Sequence, residues 1–144
     1  MTERILKGLT KQFIKECQDK KLNFSKKELA AIKKTAEVKL YGSSKGSFYL
    51  VVRAGLDEDP WRRPHIYGDF TWHKKEAKGE MHICCGQCNT VSYINRRYDC
   101  TRPQGTDYKE EFNTLIEFMK EARKDQAGLE QSYIDYVART GDIS

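Results

Sequence analysis

The spacing of apolar residues changes twice along this chain, and this change constrains the fold more than any other feature. In residues 1–42, apolar residues recur every three or four positions, as on one face of a helix. In residues 47–95 the pattern alternates residue by residue, as in a strand with one buried face. Helical spacing returns in residues 106–139. This order predicts a single α+β domain over residues 1–144, with a basic helix pair, a β-meander and an acidic amphipathic helical segment.

Two N-terminal helices are predicted from this spacing. The first covers residues 3–20, and Cys17 lies on its apolar stripe, so we interpret Cys17 as a small core residue. The second begins at Ser25, which forms a capping box with Glu28, and ends at Gly42. The apolar stripes are Ile5, Leu9, Phe13 and Cys17 in the first helix and Leu29, Ile32, Ala36 and Leu40 in the second.

The middle of the chain predicts a four-stranded antiparallel meander. Its strands are expected at residues 48–54, 65–73, 80–85 and 90–95, followed by a polar connection over residues 96–105.

A long C-terminal helix is predicted to begin near Thr106 as N-cap, with a possible break near Gly128. We expect this helix and the N-terminal pair to pack on one face of the sheet. Self-association through Leu129, Tyr133 and Val137 is an open alternative, because residues beyond the break need a surface to pack on.

The five cysteines are expected to be reduced and the protein cytoplasmic, because the N-terminal stretch lacks the apolar core of a secretory signal. Their odd number argues against a closed disulfide framework. No apolar run approaches the roughly 20 residues that span a bilayer, so we expect no membrane partner.

One cysteine cluster has metal-ligand spacing. Cys85 and Cys88 flank a predicted tight turn, and His82 and Cys100 complete a set of three thiolates and one imidazole for tetrahedral zinc. His65, His73 or Cys84 are alternative ligands. Buried structural thiols and redox-active thiols remain alternatives to zinc.

Basic residues are unevenly distributed. Residues 1–42 carry 11 Lys/Arg against 5 Asp/Glu, whereas residues 106–144 carry 5 against 9. A basic front raises the expectation of a polyanionic partner, although lysine-rich helix faces are often only solvated. The connections of the meander combine arginines with aromatic residues, a pattern that suits nucleic acid. The predicted contacts are Trp61, Arg62, Arg63, Arg96, Arg97, Tyr98 and Arg102.

The sequence contains no Walker loop, dinucleotide fingerprint, nucleophile elbow or HExxH motif. A nuclease site at Asp69, Glu80 and His82, or a thiol nucleophile at Cys84 or Cys88, is therefore only an alternative.

The favoured prediction is a non-enzymatic, accessory or regulatory module that binds DNA or RNA, with zinc as a stabilising option. The rival is a small interaction module that binds and inhibits or modulates another protein, such as a nucleic-acid-handling enzyme.

Overall fold

The computed structural model of the protein describes residues 2–42, 46–56, 65–86 and 93–124, with the backbone alone at residues 2, 65, 84–86 and 93–98. The described elements are β1 (Thr2–Ile5), α1 (Lys7–Cys17), a 3-10 turn (Lys20–Leu22), α2 (Lys26–Thr35), β2 (Glu37–Gly42), β3 (Phe48–Gly55), β4 (His65–His73), β5 (Lys78–Gly86), β6 (Tyr93–Thr101) and α3 (Tyr108–Lys124).

The strands form one antiparallel sheet in chain order, β1-β2-β3-β4-β5-β6. The prediction of four strands is wrong, because the described part of the chain has six. Both additional strands, β1 and β2, lie in the stretch that the sequence assigned entirely to helices. They flank α1 and α2 in the chain and extend the sheet beyond β3.

β1 replaces the first turn of the predicted first helix. It pairs with β2 over four residues, from Thr2 opposite Gly42 to Ile5 opposite Lys39. The Leu6 backbone N–H then donates to the Val38 carbonyl at 2.8 Å. Ile5 is 53% exposed and does not belong to the buried stripe that the prediction placed it on.

β2 replaces the predicted second half of the second helix. The capping box at Ser25 and Glu28 is confirmed, with both hydrogen bonds present at 3.1 and 2.9 Å. The helix ends at Thr35, whose hydroxyl accepts from the Gly55 N–H at 2.8 Å and so fixes the helix end to β3. Leu40 fits helical spacing and strand alternation equally well, and pairing with β3 selects the strand.

β6 begins later and ends later than the predicted fourth strand. It runs through Thr101, so the expected polar connection over residues 96–105 is wrong for its first six residues. β6 is the last strand in the sheet order, and edge strands tolerate charged side chains such as those that suggested a loop.

The three helices of the described ranges, α1, α2 and α3, pack on one face of the sheet, which we call the covered face. The core between them includes Phe13 of α1, Ile32 of α2 and Phe112 of α3, each no more than 2% exposed. Two glycines make room for core side chains on this face, Gly68 for a residue of α3 and Gly79 for a residue of the neighbouring strand β4. A Cβ on Gly68 would lie 2.8 Å from Met119 Sδ, and one on Gly79 would lie 2.4 Å from Phe70 Cζ.

α3 begins at Tyr108, two residues after the predicted N-cap. Asp107 caps it, because its Oδ1 accepts from the Glu110 N–H at 2.9 Å, while the Thr106 hydroxyl donates to Glu111 at 2.9 Å. The predicted break near Gly128 and the self-association residues Leu129, Tyr133 and Val137 lie outside the described residues.

Candidate nucleic-acid interface

The predicted contact residues divide into three groups. Trp61, Arg62 and Arg63 lie outside the described residues. Arg96, Arg97 and Tyr98 lie within β6, opposite Ile83, His82 and Met81. These three are therefore strand positions rather than loop positions, and only their backbone is described.

Arg102 forms part of the joint between β6 and α3. Its Nη2 lies 3.0 Å from Glu111 Oε1 and its Nε lies 3.2 Å from Oε2, so the pair is bidentate. The Glu111 side chain is 1% exposed. Burial raises the pKa of Glu111, and the Arg102 guanidinium opposes that rise. Because this structural pairing accounts for Arg102, we leave it out of the proposed interface.

The predicted zinc ligands do not come together within the described residues. His82 lies on the sheet face opposite the helices, where its ring centroid is 6.0 Å from that of Tyr67. Cys100 is fully buried on the covered face, with its Sγ 3.7 Å from the Gly79 carbonyl oxygen. Cys88 and the side chain of Cys85 lie outside the described part, so a zinc site involving them stays a prediction.

The nuclease alternative has no support in the described ranges, and the proposed thiol nucleophiles, Cys88 and the side chain of Cys84, lie outside them. No group of three or more His, Cys, Asp or Glu side chains within those ranges could hold a metal ion, which includes the proposed nuclease set Asp69, Glu80 and His82. Cys17 is confirmed as a core residue at 4% exposure, and burial raises the pKa of its thiol to about 12. A thiol with that pKa is a poor nucleophile.

Every carboxylate of residues 1–42 takes part in an ion pair. Glu3 and Glu37 both bind Lys39, at 3.1 and 3.0 Å, and Glu37 also binds Arg53 at 2.8 Å. The pKa of Lys39 is raised by these carboxylates, Glu37 first.

The other three carboxylates of this stretch are paired with α3. Lys120 Nζ lies 3.3 Å from Glu16 Oε2 and 3.4 Å from Asp19 Oδ2, and Arg123 Nη2 lies 3.6 Å from Glu28 Oε1. Arg123 also donates to the Leu22 carbonyl at 2.9 Å. The acidic groups of the N-terminal helices thus serve to attach α3.

The lysines of the same elements lie on the outside of the helix layer. We call the following group the lysine surface: Lys7, Lys11, Lys15, Lys20, Lys21, Lys26, Lys27 and Lys33. All are exposed, and none forms an ion pair with a described residue. Three of them follow one another at four-residue intervals along α1, which places them about 6 Å apart along the helix axis.

The sheet face opposite the helices, which we call the open face, carries a row of rings across four strands. Tyr41 of β2 and Tyr49 of β3 have ring centroids 5.6 Å apart. The Tyr49 and Tyr67 hydroxyls lie 3.1 Å apart, and the Tyr67 ring meets the His82 ring of β5 edge-on. We call these four residues the aromatic row. All four are half-buried, and no described helix packs on this face.

One carboxylate organises the centre of the aromatic row. Asp69 Oδ2 accepts from the Tyr67 hydroxyl at 2.7 Å and from the Tyr49 hydroxyl at 3.1 Å. Burial is the main cause that raises the pKa of both phenols, and contact with Asp69 raises them further. Both hydroxyls therefore remain protonated at neutral pH.

Sequence reasoning missed the aromatic row. Tyr41 falls within the stretch predicted as a helix, and Tyr49 is marked by the sequence only as a strand residue. The alternation of Glu37, Lys39 and Tyr41 with buried Val38 and Leu40 is the signal that could have revealed it.

No family model matches the chain, and searches of curated proteins and solved structures returned no significant similarity. Within the described ranges, no helix has both the length and the apolar composition needed to cross a membrane. The function must therefore be inferred from the side chains of this molecule itself.

Proposed function

We propose that this protein is a non-enzymatic nucleic-acid-binding module whose lysine surface contacts the phosphate backbone. The observation that carries the proposal is the separation of charges in residues 1–42. All five carboxylates are paired with Lys39, Arg53 or the cations of α3, whereas no side chain of the lysine surface forms an ion pair with a described carboxylate, although Lys21 lies near Asp19. Such an uncompensated group of cations is suited to a polyanion.

Helix dipoles strengthen the positive potential of this surface. Lys7 is the first residue of α1, whose first turn contains no acidic residue, and Lys26 and Lys27 are the first two residues of α2. The N-terminus of a helix carries a partial positive charge, so lysines there cost stability. Lysines at these positions are more easily explained by an anionic partner than by folding.

The composition of the surface favours nucleic acid over a protein partner. Protein interfaces have apolar centres and are depleted in lysine. Among the described residues, the one exposed large hydrophobic side chain is Ile5, and it belongs to β1 rather than to the helices. Lysine ammonium groups act as mobile point charges, which suit sequence-independent phosphate contacts better than base readout.

The test is a binding titration with a fluorescently labelled duplex of mixed sequence, followed by anisotropy at low salt. The double variant Lys11→Gln, Lys15→Gln should bind about tenfold more weakly, because it removes two cations that bind phosphate and the counterion release that accompanies them. The matched control is Lys75→Gln, Lys109→Gln, which removes two exposed lysines from other parts of the molecule.

The control variant should bind like the wild type. Equal affinity of all three proteins, or no binding by the wild type, would refute the proposal. A protein partner retained from nuclease-treated lysate by the wild type but not by the Lys11, Lys15 variant would instead support the interaction-module alternative.

A further inference from the structure

The C-terminal end of α3 is attached to the elements that carry the lysine surface. Arg123 Nε donates to the Leu22 carbonyl at 2.9 Å, and its Nη2 donates to the Asn23 carbonyl at 3.1 Å. The guanidinium carbon also lies 4.3 Å from the centroid of the Phe24 ring. These contacts place the end of α3 at the junction between the 3-10 turn and α2.

Four members of the lysine surface lie at this junction. Lys20 and Lys21 are the first two residues of the 3-10 turn, and Lys26 and Lys27 are the first two residues of α2. The cations of α3 beside them are already bound by carboxylates of the N-terminal elements. A further anion brought to the junction would therefore meet these four lysines.

The chain that follows α3 is acidic. α3 ends at Lys124, and residues 125–144 carry four acidic residues against one arginine, which gives a net charge of −3. The charged residues are Asp125, Glu130, Asp135, Asp142 and Arg139. Glu130 comes six residues after Lys124, so even a fully extended chain allows no more than about 20 Å between them. Anions tethered this closely reach an effective concentration in the millimolar range near the junction.

A shallow apolar indentation lies at the same junction. Phe13 and Leu22 line it from the N-terminal elements, and Ile116 and Met119 line it from α3. Leu129 is next to Glu130 in the sequence, so an apolar side chain and an acidic one can reach the junction together. Apolar contact would add to charge pairing, which contributes little when it acts alone at exposed positions.

We propose that residues 125–144 bind to the lysine surface of the same molecule and compete there with nucleic acid. Their carboxylates take the place of phosphate groups beside the lysines of the junction. Ion pairs between exposed side chains are individually weak, so a polyanion with many phosphates displaces the segment. The competition rests on the proposed function, since it assumes that the lysine surface binds nucleic acid, whereas the contact itself requires no ligand.

The contact can be tested on the unmodified protein by cross-linking with a water-soluble carbodiimide, which joins a carboxylate directly to a neighbouring ammonium group. In dilute protein at low salt, peptide mass spectrometry of the monomer should find Glu130 or Asp135 joined to lysines of the junction. A saturating amount of duplex should abolish these links. Absence of the links from the monomer, links found only in cross-linked dimers, or links that persist with duplex would each overturn the proposal.

The effect on affinity is tested with the full-length double variant Glu130→Gln, Asp135→Asn and the labelled duplex at low salt. This variant should bind about fivefold more tightly than the wild type, because two competing anions are lost. The matched control is Glu76→Gln, Glu110→Gln, which makes the same change in net charge at two exposed positions. Glu110 lies at the other end of α3, about 20 Å along the helix axis from Arg123.

The control variant should bind the duplex like the wild type, and circular dichroism establishes that both variants are folded. Equal affinity of all three proteins, or the same gain in the control as in the Glu130, Asp135 variant, would overturn the competition and leave the proposed function intact. If none of the three proteins binds the duplex, the proposed function and the competition fail together.

Discussion

Acidic and basic side chains are paired differently on the lysine surface and on the open face. On the open face, Glu37 binds both Lys39 and Arg53, so acidic and basic groups neutralise one another across neighbouring strands. In the helix layer, Glu16, Asp19 and Glu28 are paired with cations of α3, and the lysines of the same elements are left on the outside. Net charge is therefore a poor guide to where a polyanion binds, because the position of the acidic groups decides which cations remain uncompensated.

The largest expected effect is on the free energy of unfolding. It should differ strongly between a buried, paired arginine and an exposed lysine. Arg102→Ala should lower the free energy of unfolding by about 3–5 kcal/mol, because it leaves the Glu111 carboxylate buried without its partner. Lys15→Ala should change it by no more than about 0.5 kcal/mol, as is usual for an exposed side chain. Urea unfolding at neutral pH measures both, and similar values would remove the distinction between the two kinds of cation.

The Arg102–Glu111 pair also predicts how the free energy of unfolding depends on pH. Burial already raises the pKa of Glu111, and loss of Arg102 removes the main opposing influence, so the pKa should rise further in Arg102→Ala. The folded variant then binds the proton more readily than the unfolded chain, and protonation favours folding. The stability difference between wild type and variant should therefore shrink as the pH is lowered from neutral. A difference that grows or stays constant in urea titrations would contradict this prediction.

An intermediate effect is expected on the open face. Tyr67→Phe removes the 2.7 Å hydrogen bond to Asp69 and keeps the ring, so we expect a loss of about 1–2 kcal/mol of stability. Tyr41→Phe, outside the network, should be nearly neutral. Thermal unfolding of both variants tests whether the Asp69 network orders the aromatic row, and equal melting temperatures would argue that it does not.

The smallest effect on stability has the opposite sign. Lys26→Glu and Lys27→Glu place acidic groups in the first turn of α2, where each should stabilise the helix by about 0.3–1 kcal/mol. The same changes should weaken duplex binding, because they remove two cations of the lysine surface and add two anions. Urea unfolding and anisotropy on the same protein test both effects. Stabilised protein with unchanged affinity would show that these lysines do not contact the ligand.

The sequence predicted the secondary structure correctly where the local pattern of residues fits only one kind of element. The capping box at Ser25 and Glu28 and the strand at residues 65–73 needed no long-range information. Leu40 fits two periods, and only pairing with β3 decides between them. Arg96 and Arg97 were predicted to lie in a polar connection because they are charged. They lie in β6, the last strand in the sheet order, and edge strands accept charged residues that central strands do not.

The candidate site was less predictable than the fold, because it depends on contacts between residues far apart in sequence. Arg102 looked like a phosphate contact until its partner Glu111 was known. Glu16 and Asp19 look like compensating charges for nearby lysines, yet their partner Lys120 lies about a hundred residues along the chain. The pairing of Tyr49 with Tyr67 likewise requires the sheet register.

The central claim is that the lysine surface binds phosphate groups, and the salt dependence of duplex affinity tests it most directly. Removing one lysine that binds a phosphate should reduce the slope of log Kobs against log salt by about 0.9. Lys7→Gln, Lys11→Gln, Lys15→Gln should therefore have a slope shallower than that of the wild type by about 2 to 3. An unchanged slope in this triple variant, or a wild-type affinity that does not respond to salt, would contradict the account.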